Sequence, residues 1–289
     1  MSEHNTFSIR SLRQSHPRQI SDMAGESAMP LRLLQLTDLH LFGDPGGRLL
    51  GITTRLSFES VLALALSAPS SPDALILTGD LVQDETPTGY RYLRERLKRT
   101  GVPHYCIGGN HDVQSLMREH LGPAALGSVA LRRLDRWNLI FLDSIVPGSD
   151  GGRLTADQLD QLADLLANDK APSLICLHHH PAAIGSDWID RIGVANGAEL
   201  LALCERHTQV KAILFGHVHQ EASARHGNIL MLGAPSTCFQ FKPGSADFAL
   251  DDNPPGYREL MLYPDGRLTT RVVRLDQYAE MPLHQAGGY

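Results

Sequence analysis

No apolar run in this 289-residue chain approaches the length of a membrane span, which takes roughly 20 residues, so no spanning helix is expected. The opening segment MSEHNTFSIRSLRQSHPRQISDMAGESAMP also lacks the apolar core of a secretory signal. It is polar and without periodicity, which predicts a flexible extension over 1–30 ahead of a single cytoplasmic domain over 31–289. Basic residues are in the minority, 26 Lys and Arg against 32 Asp and Glu, for a formal charge of -6. With no basic stripe to displace counterions from phosphates, a dedicated nucleic-acid binder is not expected. Cysteine is scarce too: Cys106, Cys176, Cys204 and Cys238 stand singly and form no CxxC pair. They read as buried thiols in a reducing compartment, not as a structural zinc site or a disulfide framework.

What the chain does contain is a series of short apolar runs that each end abruptly in polar residues: LRLLQLTDLH, DALILTGDL, PHYCIGGNHD, SLICLHHHP and VKAILFGHVH. Runs of this length, bounded by turn residues, suit buried strands. Between them, 55–66, 88–99, 155–166 and 197–206 have helical spacing, and LTADQLDQL places Thr155 as N-cap with Gln158 at the capping-box position. The alternation predicts βαβ units, hence an α/β fold of largely parallel strands covered by helices. RRLDRWNLIFLD and GYRELMLYPDGRLTTRVVRL read as antiparallel pairs that form or extend a second sheet, the latter turning at Pro264-Asp265-Gly266.

In a parallel α/β sheet the carboxyl ends of the strands open onto the crevice where ligands bind. Asp38, His40, Asp80, Asn110, His178, His179, His217 and His219 all fall at such ends. Asp38 and His40 are two residues apart, as are His217 and His219, and in extended backbone such pairs share a face. Gly216 just before the second pair lets backbone and metal come close. Taken singly, each has a plain structural reading. Asp38 can cap a helix, Asp80 at the end of a buried strand needs only a hydrogen-bond partner, and of His178, His179 and His180 at least one is expected to be structural. Taken together, carboxylate and carboxamide oxygens mixed with imidazoles, without thiolates, point to Mn, Fe or Zn. The set is too large for one ion that keeps a position for substrate, so two ions sharing a bridging carboxylate is the economical arrangement. Asn110 then serves as a neutral ligand that leaves the site cationic enough to receive a phosphate.

The motifs DLH, GDL, GNHD, HHHP and GHVH, in that order, resemble those of the calcineurin-like metallophosphoesterase superfamily. The resemblance implies a four-layer αββα sandwich with a binuclear metal centre at the strand ends. It assigns Asp38, His40, Asp80 and His219 to one ion, and Asp80, Asn110, His178 and His217 to the other, with Asp80 bridging. It also sets His111 opposite the substrate phosphate as general acid, with Asp112 orienting it; the plain reading of Asp112 is a cap on the helix VQSLMREHL. The DRG and GNHE signatures of the superfamily's protein serine/threonine phosphatases are absent.

From Leu31 onward the chain resembles the bacterial class III 3′,5′-cyclic-AMP phosphodiesterases, through LQLTDLHLF, LLGITT, GDLVQD, LHHHPAAIGSDWID, NGAELLALC, GHVHQE, GAPSTCFQFKPGSADFALDDNPPGYREL and the terminal GGY. That likeness implies hydrolysis of 3′,5′-cyclic AMP to 5′-AMP by in-line attack of a metal-bound hydroxide, with Fe2+ favoured and Mn2+ or Zn2+ as alternatives. The cyclic nucleotide is expected to touch His40, Asp80, Asn110, His111, His219, His179 and Asn196. Trp188 or Phe239 either offers a stacking surface to the base or simply packs. Competing readings are a broader phosphodiesterase for glycerophosphodiesters or 2′,3′-cyclic nucleotides, and a metal-binding scaffold with vestigial catalysis. The complete ligand set and intact His111 weigh against the scaffold.

Overall fold

Each apolar run of the sequence becomes a strand whose alternate side chains serve two different cores. The computed structural model describes residues 29–285, so 1–28 of the expected extension and the terminal GGY lie outside the described residues. The chain begins with β1 (Leu31–Leu36), a short ladder of β2 (Arg48–Leu49) and β3 (Ile52–Thr53), α1 (Thr54–Leu66), β4 (Ala74–Thr78) and α2 (Pro87–Lys98). Next come β5 (His104–Ile107), α3 (Gln114–Leu121), the hairpin β6 (Val129–Leu134) and β7 (Trp137–Leu142), α4 (Ala156–Asn168) and β8 (Ser173–Cys176). A short α5 (Asp187–Asp190), α6 (Gly197–Glu205), β9 (Val210–Phe215), β10 (Ala222–His226) and β11 (Ile229–Gly233) follow. The small ladder of β12 (Gln240–Phe241) with β13 (Leu250–Asp251), then β14 (Gly256–Leu262) and β15 (Leu268–Arg274), complete the fold.

Among the described residues the main strands form a five-stranded sheet, β15-β14-β1-β4-β5, and a six-stranded sheet, β10-β11-β9-β8-β7-β6. The centre of each is parallel and the added hairpins are antiparallel. The two antiparallel pairs read from the sequence therefore extend different sheets. Leu33, Ala74 and Ile76 of the first sheet pack against Leu139, Leu174 and Leu214 of the second. Their neighbours Leu34, Leu36, Leu75 and Leu77 face Phe58, Leu93 and Met117 of α1, α2 and α3. On the far side Ile140, Ile175 and Ile213 meet Leu162 and Leu200 of α4 and α6. The result is the expected αββα sandwich, and each fully buried leucine in it contributes roughly 2 kcal/mol.

Local signals hold as read. The Thr155 side chain accepts from Gln158 N while the Gln158 side chain accepts from Thr155 N, so the capping box of α4 is complete. All four cysteines are buried and free. No helix among the described residues is long and apolar enough to cross a membrane.

Polar ties between the sheets fix the rim. Gln35 Nε2 donates to Thr78 Oγ1 at 3.0 Å and, across the interface, to Phe215 O at 3.0 Å. The buried Arg258 guanidinium reaches from β14 to Gly233 O at 2.8 Å and Ala222 O at 3.1 Å. The first link holds the last residues of β4 and β9, the strands that lead into GDL and GHVH, and the second ties β14 to the end of β11 and the start of β10.

Candidate metal centre

The loops after β1 and β4 continue side by side beyond their strands, with Asp38 N donating to Gly79 O at 3.0 Å and His40 N to Asp80 O at 2.9 Å. The expected extended backbone is not what brings their side chains together. Asp38, His40, Asp80, His217 and His219 all have positive φ, between 44° and 68°, and are five of the eight such non-glycine residues among those described. Left-handed backbone costs roughly 1 kcal/mol or more at each such residue. The hydrogen bonds just given, and that from His217 N to Asp38 Oδ1 at 3.0 Å, hold it in place. The paired side chains still share a face, but a turn presents them. Gly216 also acts differently from expectation: a Cβ there would lie 2.1 Å from Thr37 Oγ1, so its bareness serves the approach of β9 to β1. The second glycine of GGNHD has a comparable reason, because a Cβ on Gly109 would lie 2.1 Å from Asp80 Oδ1.

These turns gather two groups of donor atoms. Asp38, His40, Asp80 and His219 offer atoms all within 4.8 Å of one another, and so do His178, His179 and His217. Asp80 joins the groups, its Oδ2 3.8 Å from His40 Nε2 and its Oδ1 3.4 Å from His178 Nε2. Asn110 Oδ1 is 3.0 Å from His178 Nε2. Donor separations in this range match the polyhedron edges around an ion with bonds of about 2.1 Å.

The orientation of the imidazoles supports the same fit. His40 Nδ1 meets Gln83 Oε1 at 2.6 Å, His219 Nδ1 meets Phe239 O at 2.9 Å, and His178 Nδ1 meets Thr78 O at 2.7 Å. Oxygen acceptors require a proton on Nδ1, which turns each Nε2 inward, where the neutral ring offers a lone pair. His40 and His219 then oppose two lone pairs at 3.2 Å, an arrangement that a cation between them relieves. His217 Nε2 is buried with no hydrogen-bond partner. The residues therefore suit a binuclear metal centre. Nothing in GDLVQD marks Gln83 as the partner of an imidazole 43 residues away; only the fold brings it to His40.

Burial and charge set the protonation of the cluster. Burial drives His40 down to about 3 and holds His179 and His217 well below the ordinary range, keeping them neutral. Burial alone would raise Asp38 and Asp80, but His219 and His178 respectively hold them below the usual carboxylate range. His178 itself, against its burial, is lifted to about 9 by the Asp80 carboxylate.

Three sequence expectations need correction. Asp112 neither orients His111 nor caps α3. Its Oδ2 accepts from Leu81 N at 3.0 Å and Gly109 N at 2.9 Å, and its Oδ1 from Val82 N at 3.2 Å and Tyr90 Oη at 2.8 Å. It staples the GDL loop to the GNHD turn, while α3 begins after Val113 without a side-chain cap. Burial and the charge of Asp80 push this carboxyl up to about 6. His179 lies beside the second donor group, but its Nδ1 meets Ser144 Oγ at 2.8 Å and its Nε2 meets Asp150 O at 3.0 Å. Both nitrogens are engaged, so proximity does not make it a ligand or a substrate contact. Asn196 spends its carboxamide on the Leu154 backbone, accepting from N and donating to O, each at 3.0 Å.

The aromatic readings resolve toward packing. Phe239 is 2 % exposed and stacks on His40, with centroids 5.7 Å apart, while Trp188 packs edge-on against Phe241 and Phe248. His111 is half-buried, its N donating to Asp80 Oδ1 at 3.0 Å and its ring edge-on to His40 with centroids 5.2 Å apart.

Comparison with known proteins agrees with this geometry. A family model described as calcineurin-like phosphoesterase matches residues 31–221. The chain is 39% identical over 261 residues to the 3′,5′-cyclic adenosine monophosphate phosphodiesterase CpdA of Haemophilus influenzae, covering 90% of this chain and 95% of that one. It is 40% identical over 251 residues to a 3′,5′-cyclic-nucleotide phosphodiesterase of Nostoc, covering 86% and 93%. A dimetal phosphatase from Danio rerio shares the fold with a TM-score of 0.60 at 14% identity, over 86% of this chain and 99% of that one.

Proposed function

The chain belongs to the calcineurin-like phosphoesterase family, and from that premise we infer that it is a phosphodiesterase hydrolysing 3′,5′-cyclic AMP to 5′-AMP. What carries this reading is that relatives named for cyclic-nucleotide hydrolysis align along nearly the whole chain, not through the metal motifs alone. The donor set of carboxylate, carboxamide and imidazole suits Fe2+, Mn2+ and Zn2+, and likeness to the class III enzymes favours Fe2+. Four free buried thiols suit a reducing compartment, and we place the enzyme in the cytoplasm.

Two divalent ions bound here would polarise the phosphoryl oxygens and acidify a water enough to serve as nucleophile at phosphorus. Asp38, His40, Asp80 and His219 would hold one ion, and Asp80, Asn110, His178 and His217 the other. Asp80 spans both donor groups, and Asn110 adds an oxygen without adding charge. Because the His111 backbone donates to Asp80 Oδ1, the proton donor is positioned by the same carboxylate that joins the two groups. As the bond from phosphorus to O3′ breaks, the His111 imidazole gives its proton to the departing oxygen, a contribution of about 10²–10⁴-fold. Gln83, Thr78 O and Phe239 O meanwhile keep the ligating imidazoles in one tautomer.

The test is cyclic-AMP turnover by protein reconstituted anaerobically with Fe2+ or Mn2+, beside Asp80→Ala and His111→Ala. Wild type yields 5′-AMP, Asp80→Ala loses metal and activity together, and His111→Ala keeps its metal while losing about 10²–10⁴-fold in turnover. A fully metallated wild type that leaves cyclic AMP intact defeats the reading and makes glycerophosphodiesters the next substrates to try.

A further inference from the structure

Behind the metal centre lies a cavity of about 810 Å³ that none of the metal ligands lines. Its walls are the loops 146–153 and 180–195, which follow β7 and β8. We propose that this cavity is the nucleoside subsite, holding purine and ribose while the cyclic phosphate lies at the metal centre; this rests on the phosphodiesterase reading.

Position is the first argument. His180 lines the cavity, is 2 % exposed, and lies nearly parallel to the ligand His217 with ring centroids 5.8 Å apart and planes at 21°. One ring thus separates cavity from donor group. His179, beside the same ligands, reaches the cavity wall through its bond to Asp150 O. A nucleotide anchored by its phosphate holds its base several ångströms from the ligands, and this cavity begins one imidazole away from them.

The second argument is that the cavity is preformed. Gly152 N donates to Gly193 O at 3.1 Å and Ala195 N to Gly152 O at 2.7 Å, which locks the two walls together. Asn196 clasps Leu154 just beyond the lining residues. The glycines also let the walls lie flat on the histidines: a Cβ on Gly193 would be 2.8 Å from His180 O, and one on Gly152 2.6 Å from the His179 ring. The volume falls in the range of about 300–1,000 Å³ used by small-molecule sites.

Chemistry is the third. Val146, Ala182 and Ile192 provide apolar surface, and the exposed Arg153 and Arg191 provide guanidinium planes that stack on a purine. Asp150 and Asp190 are the two carboxylate residues of the lining, and the Asp190 carboxylate already accepts from Ile184 N at 2.8 Å and Gly185 N at 3.0 Å. Both ring nitrogens of His180 are buried without a hydrogen-bond partner, Nε2 lying 3.3 Å from Asp190 Oδ1, so the floor holds unspent polar atoms.

Two variants at exposed lining positions test this, Ala183→Trp to fill the cavity and Arg191→Ala to remove a stacking plane. Metal-loaded protein is titrated calorimetrically with 5′-AMP and with inorganic phosphate, and kcat/KM is compared for cyclic AMP and bis(p-nitrophenyl) phosphate, a diester without a nucleoside. For Ala183→Trp the 5′-AMP Kd rises by about tenfold or more while the phosphate Kd moves less than about twofold, as loss of a stacked base requires. The ratio of kcat/KM for cyclic AMP to that for the nitrophenyl diester falls by about tenfold in Ala183→Trp, and by about threefold or more in Arg191→Ala. An unchanged 5′-AMP Kd in Ala183→Trp, equal losses for 5′-AMP and phosphate, or a wild type that binds both alike overturns the assignment. A metallated wild type that cleaves the nitrophenyl diester but not cyclic AMP instead removes the parent reading, and this one with it.

Discussion

Replacing Asp112 by Asn distinguishes a staple from a catalytic helper. The carboxylate takes four donors from three segments: Leu81 N and Val82 N after β4, Gly109 N in the turn after β5, and Tyr90 Oη on α2. Asn keeps one oxygen, and its amide group turns two hydrogens toward two of those donors. Tyr90 Oη accepts from Val113 N at 3.0 Å, so its own proton is committed to Asp112. Stranding one or two buried donors costs about 1–3 kcal/mol each, hence roughly 2–4 kcal/mol in total. That is a large share of a typical stability of about 5–15 kcal/mol. At about 2–4 °C per kcal/mol for a chain of this size, Tm should fall by roughly 5–15 °C. Thermal and urea denaturation of Asp112→Asn beside wild type and His111→Ala give the measurement. A variant with wild-type Tm whose turnover drops as far as that of His111→Ala would refute the staple and restore Asp112 as the residue that orients His111.

Three further outcomes follow from the same packing. Asn196→Ala strands the N–H and C=O of Leu154 and should lower stability by about 1–3 kcal/mol in urea unfolding; an unchanged midpoint means that Leu154 finds other partners. Gly109→Ala forces a methyl group against Asp80 Oδ1 and the His178 ring, and should reduce bound metal, read by elemental analysis of the purified protein. Full metal content in a folded Gly109→Ala protein contradicts the close approach. Glu259 is held between Arg32, at 2.6 Å, and Arg271; burial opposes its charge, but the two guanidiniums keep its carboxyl below the ordinary range. A lowered carboxyl stabilises the fold above its unfolded value and loses that contribution as pH falls through the folded one. Arg32→Met should therefore cost roughly 1–3 kcal/mol at pH 7 and less as pH falls through the folded value of Glu259; a cost that does not change as the pH is lowered counts against the ion pair.

The sequence marks the strands in chain order, the capping box at Thr155 and Gln158, and the polar residues that the fold gathers into two donor groups. Each of these is written in side-chain type and spacing: apolar runs that stop at Asp, Asn or His, and helical periodicity between them. It could not say how the donors are presented. Asp-x-His and His-x-His look alike in extended and left-handed backbone, and the choice came from bonds such as those of Asp38 N to Gly79 O and His217 N to Asp38. It likewise misread Asp112, His179 and Asn196, each a polar residue within or close to a recognisable motif. Their partners lie far along the chain, 31 residues away for Leu81 and 42 for Leu154, and most are main-chain groups. Every non-proline residue carries the same N–H and C=O, so no letter of the sequence marks which of them a buried side chain will meet. Only the packing of two sheets, which fixes where those main-chain groups end up, decided which polar residues of the rim face the metal site and which hold its loops in place.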